Sequence, residues 1–286
     1  MTKSISRAKR VAFQGEPGAY ANQAAREAIP HAAAIPHASF EDAIEAVKSG
    51  SCDLCVIPVE NSLIGRIADI HHLLPESGLH IVGEHFLPIH HQLLGLKDAT
   101  LEGIKTLYSQ APALAQARNI VRERKLATQN WYDTAGSAKH VAELKDPSCA
   151  ALASTLAGEL YGLKILARDV EDEHHNSTRF LIMSRERDDA PNSGKVVTTF
   201  VFRVRNVPAA LYKAMGGFAT NGVNMTKLES YQLGGSFNAT QFYADIQGHP
   251  DDPAVARALE ELGFFTSQLM IMGVYPAHPF REDMPG

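Results

Sequence analysis

The segment Asn-Ser-Thr-Arg-Phe, at residues 176–180, carries the residue types best suited to binding a small acid. Thr178 supplies a hydroxyl that can donate or accept a hydrogen bond, and Arg179 supplies a planar guanidinium that matches a carboxylate. The segment opens a predicted strand at 178–185, and ligands of α/β proteins collect where strand ends meet loops. An ordinary edge strand with Arg179 in solvent is the alternative interpretation.

A second polar segment, Pro-Val-Glu-Asn-Ser at residues 58–62, ends the apolar predicted strand 52–60. Asn61 and Ser62 lie near the N-terminus of the next predicted helix, where free backbone N–H groups favour an anion. Helix capping by the same side chains explains the pattern equally well, and the two roles are compatible.

A third candidate combines Ser109, at the turn that ends the predicted strand 106–110, with Gln116 in the first turns of the predicted helix 112–123. Alone this signal is weak. The glycine-containing turn at residues 13–20 lacks both GxGxxG and GK[ST], so no nucleotide phosphate loop is predicted.

The elements that must position these residues alternate, strand then helix, through the first 185 residues. This alternation predicts an α/β sheet with helices on both faces. A charged segment at 185–195, with Pro191 and Gly194, is predicted to be a linker. Residues 196–275 have the predicted order βαββαβ, which indicates a ferredoxin-like sandwich.

Composition excludes several classes of protein. The chain has 286 residues, enough for about two domains, and a net charge of −5 that argues against nucleic acid or anionic membrane as partners. Three cysteines cannot build a disulfide framework, and no apolar run is long enough to cross a membrane. With no signal-peptide core either, the expected location is cytoplasmic. The spacing of Cys52 and Cys55 on a strand also argues against a zinc or redox site.

Taken together, these motifs resemble prephenate dehydratase followed by an ACT regulatory domain. The resemblance covers about residues 10–276. The segments that carry it are, in chain order, FQGEPGAYANQAA, SFEDAIEAVKSG, DLCVIPVENSLIGRI, LYSQAPALAQ, NSTRF, NVPAALYKAM and GVNMTKLES.

The resemblance implies a two-lobed, type II periplasmic-binding-protein-like catalytic domain and a C-terminal ferredoxin-like ACT domain. The implied bounds are 8–186 for the catalytic domain, 187–195 for the linker and 196–278 for the ACT domain. One lobe would hold about 8–85 with 178–186, and the other 86–177.

The implied reaction converts prephenate into phenylpyruvate, with loss of water and carbon dioxide, in L-phenylalanine biosynthesis. Aromatisation drives it, so neither a metal nor an organic cofactor is expected. Thr178 would donate a hydrogen bond or proton to the leaving hydroxyl, and Arg179 would hold a carboxylate. The other substrate-binding candidates are Asn61, Ser62, Ser109, Gln116 and Phe180. An arogenate dehydratase, or a non-catalytic two-lobed binding protein, remains the alternative.

The ACT unit is expected to bind L-phenylalanine between subunits of a homodimer or homotetramer. The effector-binding candidates are Asn206, Pro208, Ala209, Ala210, Leu211, Asn224, Glu229 and Ser230. Two positions depart from the family pattern: Ala209 replaces a usual glycine, and Tyr231-Gln232 replaces a usual Arg-Pro. Feedback inhibition by L-phenylalanine is expected from the resemblance, and the two departures leave its strength open.

Overall fold

A computed structural model of the chain describes residues 2–205, 207–232 and 239–282. The described residues form three sheets of six, five and four strands. None of the helices in these ranges is long and apolar enough to span a bilayer.

The first sheet and its helices belong to one lobe. Its strands are β1 (Arg10–Gln14), β2 (Ala33–His37), β3 (Leu54–Asn61), β4 (Gly65–Arg66), β5 (His80–Pro88) and β11 (Ser177–Ser184). Its helices are α1 (Lys3–Arg7), α2 (Tyr20–Ala28), α3 (Phe40–Lys48) and α4 (Ala68–Glu76). The strand order is β2-β1-β3-β11-β5, with β4 paired to β3. Strand β11 runs antiparallel between β3 and β5, so the candidate segment at 176–180 enters the middle of this sheet.

The second sheet forms the other lobe, which the chain enters after β5 and leaves before β11. Its strands are β6 (Gln92–Gly95), β7 (Thr106–Ser109), β8 (Ala127–Asn130), β9 (Cys149–Ala153) and β10 (Lys164–Ala167). Its helices are α5 (Ala111–Ala115), α6 (Arg118–Glu123), α7 (Thr134–Leu144) and α8 (Thr155–Tyr161). The strand order is β10-β6-β9-β7-β8.

The third sheet is antiparallel, and its elements follow the predicted order βαββαβ. The strands are β12 (Val196–Val204), β13 (Met225–Gln232), β14 (Ala239–Gln247) and β15 (Thr266–Pro276), and the helices are α9 (Ala210–Thr220) and α10 (Pro253–Phe265). The strand order β13-β14-β12-β15 is that of a ferredoxin-like sandwich. The predicted fold class, two α/β lobes followed by this unit, is confirmed.

Alternation along β12 explains how the third sheet covers two cores. Phe200 and Phe202 point toward α9 and α10, where they join Phe218 in one apolar cluster. Val197 and Val201 point the other way and pack with residues of the first lobe. Because successive strand residues face opposite sides, one sheet can pack on helices and on another sheet at once.

The contact between the third sheet and the first lobe is close enough to require a glycine. A Cβ added to Gly273 in β15 would lie 2.1 Å from the carbonyl oxygen of Ile81 in β5. No side chain fits in that space, so this glycine lets the two sheets meet backbone to backbone.

Several local predictions differ from the structure. Strands β2 and β9 were not predicted, because alanine-rich segments such as Cys149–Ala153 have weak strand propensity. The helix predicted over 112–123 is two helices, since the buried Ala117 has non-helical backbone angles. The helix predicted to begin close to Ser62 begins only at Ala68, after the short strand β4.

His71 in α4 is a buried histidine at the contact between the first lobe and the third sheet. It is 1% exposed, and its ring centroid lies 5.1 Å from that of Tyr243. Among the described residues neither ring nitrogen has a hydrogen-bond partner. The pKa of His71 is lowered to about 4, chiefly by burial and also by the positive charges of Lys227 and Arg66, which outweigh the opposite effect of Glu229 and Glu60.

We expect His71→Phe to flatten the acid dependence of stability. Between pH 6.5 and pH 4 the unfolded chain binds a proton at His71 that the folded chain does not. The free energy of unfolding therefore decreases as the pH is lowered through this range. The wild type should therefore lose about 3 kcal/mol through this one group between pH 7 and pH 4. Urea unfolding across this range measures the difference. The exposed His174→Phe is the control, and equal slopes in all three proteins would contradict the prediction.

Candidate active site

A cleft of about 360 Å³ separates the two lobes and is lined by residues of both. The residues that line the cleft include Gln14, Gly15, Tyr20, Asn61, Arg66, His91, Gln116, Thr178 and Phe180. Segments distant in sequence meet here because β11 returns to the first lobe beside β3, while the N-terminal part of the second lobe faces them.

Thr178 and Asn61 form the centre of the site. They are paired across β11 and β3, and Asn61 Nδ2 donates to Thr178 Oγ1 at 3.0 Å. Because this hydroxyl oxygen already accepts a hydrogen bond, its own hydrogen is free to be donated into the cleft. Thr178 is 8% exposed, so a group that meets it is largely removed from water.

A chain of side-chain hydrogen bonds continues from Asn61 into the second lobe. Asn61 Nδ2 also donates to Asn176 Oδ1 at 2.8 Å, and Asn176 Nδ2 donates to Gln116 Oε1 at 3.1 Å. His91 Nε2 lies 2.9 Å from the same Gln116 oxygen, and His91 Nδ1 lies 2.7 Å from the Tyr20 hydroxyl. Burial lowers the pKa of His91 and raises that of Tyr20, so both are neutral near pH 7.

Arg179 points away from the cleft, which corrects the prediction that it holds a substrate carboxylate. Its side chain is 2% exposed and does not line the cleft. Thr178 and Arg179 are consecutive residues of a strand, and such side chains project to opposite faces of the sheet. The same alternation brings Phe180 back to the cleft wall, and its contact with substrate stays a prediction.

The guanidinium of Arg179 is bonded on every nitrogen to groups between the first lobe and the third sheet. Nε donates to Glu84 at 2.8 Å, Nη1 to Glu60 at 2.9 Å and Asp245 at 2.5 Å, and Nη2 to the Tyr275 hydroxyl at 2.8 Å. Burial alone would raise the pKa of Asp245, but Arg179 and the Thr199 hydroxyl hold it below its usual value. Arg179 therefore stabilises a buried ion cluster.

Ser62 and Ser109, which were predicted to bind substrate, make hydrogen bonds within the fold and do not lie on the cleft wall. Ser62 donates to the backbone oxygen of His175 at 2.7 Å and accepts from Ser177 N–H, which ties β3 to the loop before β11. Ser109 is 0% exposed and donates to the Leu152 oxygen at 2.7 Å. Neither lines the cleft, so their predicted contact with substrate is corrected.

Arg66 is a cleft residue that the sequence analysis missed. Of the described residues that line the cleft, it is the one with a permanently positive side chain. Its Nη1 also donates to the backbone oxygen of Ser230 in β13, 2.5 Å away. Gln14, Tyr20, His91 and Asn176 were missed as well, although Gln14 lies in the glycine-containing turn at 13–20.

A group of possible metal ligands lies just behind His91. One ligand atom from each of His90, Asp169 and Glu171 falls within 4.8 Å of the others. The oxygens of Glu171 already accept from the His91 backbone N–H at 2.8 Å and lie 2.9 Å from His90 Nδ1. We interpret this group as support for the segment that carries His91.

The effector candidates occupy three separate places in the third sheet. Asn206 lies outside the described residues, while Pro208, Ala210 and Leu211 follow the end of β12, around Ala209, whose φ of 61° favours glycine. Asn224 lies at the other end of the sheet, where its amide donates to Gln247 Oε1 at 3.1 Å.

Glu229 faces the first lobe, while the neighbouring Ser230 has an exposed side chain on the opposite face of β13. Glu229 accepts from Lys227 at 3.2 Å, and the same lysine donates to Glu60 at 2.5 Å. Ser230 accepts from Arg66 through its backbone. A single chain therefore does not bring the predicted effector residues together.

The fold and the cleft define a class: two α/β lobes that enclose a small-molecule site, with a βαββαβ unit packed behind one of them. The sequence profile described as "Prephenate dehydratase" matches residues 11–188, which include both lobes. The chain belongs to the prephenate dehydratase family.

Three relatives illustrate the similarity. A "Bifunctional N-acyl-homoserine lactone acylase/prephenate dehydratase" of Komagataeibacter europaeus is 52% identical over 95% of this chain and 97% of that protein. An "Arogenate dehydratase/prephenate dehydratase 2, chloroplastic" of Arabidopsis thaliana is 37% identical over 96% and 75%. The structure of prephenate dehydratase from Arthrobacter aurescens in complex with L-Phe is 28% identical, covers 97% and 92%, and has a TM-score of 0.86.

Proposed function

We propose that this protein catalyses the decarboxylating dehydration of prephenate to phenylpyruvate. The observation that carries the proposal is the Thr178 hydroxyl, which accepts from Asn61 and keeps its own hydrogen for a ligand in the cleft. Membership of the prephenate dehydratase family supports the same conclusion.

In the proposed reaction, the ring carbon–oxygen bond and the bond to the ring carboxylate both break. The electron pair of the carboxylate bond moves into the ring, carbon dioxide leaves, and the departing oxygen takes one proton to become water. Thr178 donates a hydrogen bond to that oxygen as negative charge develops on it, and Asn61 supports the threonine from behind. Such stabilisation is effective in a site that excludes water, and the ring gains aromaticity.

The substrate is a dianion, and Arg66 replaces Arg179 as the proposed source of positive charge. Arg66 lines the cleft, while Arg179 is fully bonded elsewhere. The amide nitrogen of Gln116 adds a neutral donor: it is buried, and no described residue accepts from it. One substrate carboxylate at Arg66 and one substrate oxygen at Gln116 would satisfy both groups.

The alternative substrate is arogenate, which differs from prephenate by an amino group in place of the ketone. Plant relatives 36% to 38% identical to this chain carry the name arogenate dehydratase. A non-catalytic binding protein would hold either acid without converting it.

We expect the purified full-length chain to convert prephenate into phenylpyruvate, detected by the absorbance of phenylpyruvate in alkali. Parallel measurements of kcat/KM with arogenate decide the substrate preference. Hydrolysis of an N-acyl-homoserine lactone tests the second activity in the name of the Komagataeibacter relative. Binding of either acid without turnover would support a binding protein and overturn the proposed reaction.

We also propose that L-phenylalanine regulates the enzyme through the third sheet of a homo-oligomer. The Arthrobacter relative was crystallised with L-Phe. The predicted effector residues lie at opposite ends of one sheet, so a second copy is needed to bring them together. Adding millimolar L-phenylalanine to the same assay, with hydrodynamic size measured in parallel, tests this proposal.

A cytoplasmic location remains part of the proposal. Cys52, Cys55 and Cys149 are all buried and unpaired, which fits a reducing compartment.

A further inference from the structure

We infer that His91 is a positioning residue: it fixes the Gln116 amide so that the nitrogen, and not the oxygen, serves the cleft. The inference deepens the proposed function, on which it rests for its catalytic consequence. It follows from the donors and acceptors along the hydrogen-bonded chain that links the two lobes.

The orientation of the hydrogen-bonded side chains is set first by the backbone of the turn that follows β3. The N–H groups of Leu63 and Ile64 donate to Asn61 Oδ1 at 3.0 and 3.1 Å. A backbone N–H can only donate, so the atom facing it must be the amide oxygen. The Asn61 nitrogen is therefore the atom that faces Thr178 and Asn176.

The next two amides have no freedom of their own. Because Asn61 presents a donor, Asn176 must present its oxygen, which leaves the Asn176 nitrogen 3.1 Å from Gln116. That nitrogen in turn requires the oxygen of Gln116. The Gln116 nitrogen is left over, and it is buried without an acceptor among the described residues.

His91 holds the same Gln116 oxygen from the second lobe. Its Nε2 lies 2.9 Å from that oxygen, so Nε2 must carry a hydrogen, while Nδ1 lies 2.7 Å from the Tyr20 hydroxyl. In the neutral ring Nδ1 is then an acceptor, and the single Tyr20 hydroxyl hydrogen is shared between it and the His90 backbone oxygen, which lies 3.0 Å from the hydroxyl. The ring is 2% exposed, and water does not compete for these bonds.

The function of this arrangement is to keep a buried, unsatisfied donor in the side chain of Gln116, a residue that lines the cleft. A buried donor without a partner is unfavourable, and a rotation of the Gln116 side chain would relieve it if nothing opposed the rotation. His91 and Asn176 oppose it by holding the oxygen from two sides. A substrate oxygen is the acceptor that completes the set, and the donor is in place before substrate arrives.

The test is a double-mutant cycle on kcat/KM for prephenate, with His91→Phe, Gln116→Met and the double variant. We expect His91→Phe to lower kcat/KM about tenfold, mainly through KM, the effect of one lost neutral hydrogen bond. If His91 acts through Gln116, the double variant should match Gln116→Met within about threefold. A further tenfold loss in the double variant would overturn the inference.

Two more variants separate positioning from packing. His91→Gln can place an N–H near the position of Nε2, and we expect it to recover most of the lost kcat/KM. His140→Phe is the control, because His140 stacks on Trp131 at 4.1 Å and does not line the cleft. Failure of His91→Gln to improve on His91→Phe, at equal thermal stability, would count against the donor role.

A spectroscopic measurement keeps this inference separable from the proposed function. Long-range ¹H–¹⁵N correlation spectra report which nitrogen of a histidine ring carries the hydrogen. We expect the Nε2–H form for His91 in the wild-type protein, with assignment by comparison with His91→Phe. An Nδ1–H form would overturn the inference even if prephenate is the substrate. An Nε2–H form without turnover would uphold it and reject the proposed reaction.

Discussion

Replacing Thr178 by alanine is expected to lower kcat for prephenate by about 10²- to 10⁴-fold, the range for a positioned proton or hydrogen-bond donor. The change in KM should be modest, because the hydroxyl acts mainly when negative charge develops on the leaving oxygen. Thr178 Oγ1 is held by Asn61 at 3.0 Å and is largely buried, so water cannot easily take its place. Steady-state kinetics at saturating prephenate measure the effect.

Two controls make this result specific. Thr178→Ser keeps the hydroxyl and should retain much of the activity. Thr198→Ala removes a threonine hydroxyl from β12, where it donates to the Gly248 oxygen at 2.7 Å, away from the cleft wall. We expect near wild-type kcat for that variant. A Thr178→Ala enzyme within a few-fold of wild type would remove Thr178 from the proposed role.

Replacing Arg179 by methionine is expected to lower the free energy of unfolding by about 3–5 kcal/mol, the usual effect of breaking a buried ion pair. Glu84 and Asp245 have fully buried side chains and would each lose a bonded guanidinium. Arg281 donates to Glu84 at 2.6 Å but lies 3.7 Å from Asp245, so it compensates only in part. Urea unfolding of the full chain measures the change.

The matched comparison uses Arg179→Lys and Arg185→Met. Lysine keeps the charge but cannot reach four partners with a planar fork, so we expect an intermediate loss of stability. Arg185 follows the same strand and is exposed, so its replacement should have little effect. If Arg179→Lys instead raised KM at wild-type stability, a direct substrate contact by Arg179 would have to be restored.

These two expected results concern neighbouring residues with different roles. Thr178 faces the cleft, while Arg179 anchors the same strand to Asp245 and Tyr275 of the third sheet. The pair opposite them behaves the same way: Asn61 bonds to Thr178, and Glu60 binds Lys227 of β13. The third sheet is therefore bonded to the back of the two strands that carry the proposed catalytic groups.

The sequence alone determined the features that depend on local order. Alternating elements predicted an α/β sheet, the division into two lobes came from the family resemblance, and the order βαββαβ predicted the third sheet. Ser39 has a side chain suited to capping a helix, and its hydroxyl accepts from Asp42 N–H at 3.1 Å at the start of α3. Thr178 and Asn61 were recognised as candidates because each is a polar residue at one end of an apolar strand. Strand alternation also places the side chains of Thr178 and Arg179 on opposite faces of the sheet, so the prediction that both contact substrate was inconsistent with the predicted strand.

Only the tertiary structure decided what lies on each face. Arg179 meets Glu84 and Asp245, which are 95 and 66 residues away in the chain, and no local pattern pairs a cation with partners so distant. His91 carries no sequence signal, and Asn176 was not singled out although it opens the segment at 176–180, because the roles of both depend on hydrogen bonds across two lobes. A side chain's chemistry follows from its type, but its partners follow from packing, and packing joins residues without regard to their separation in sequence.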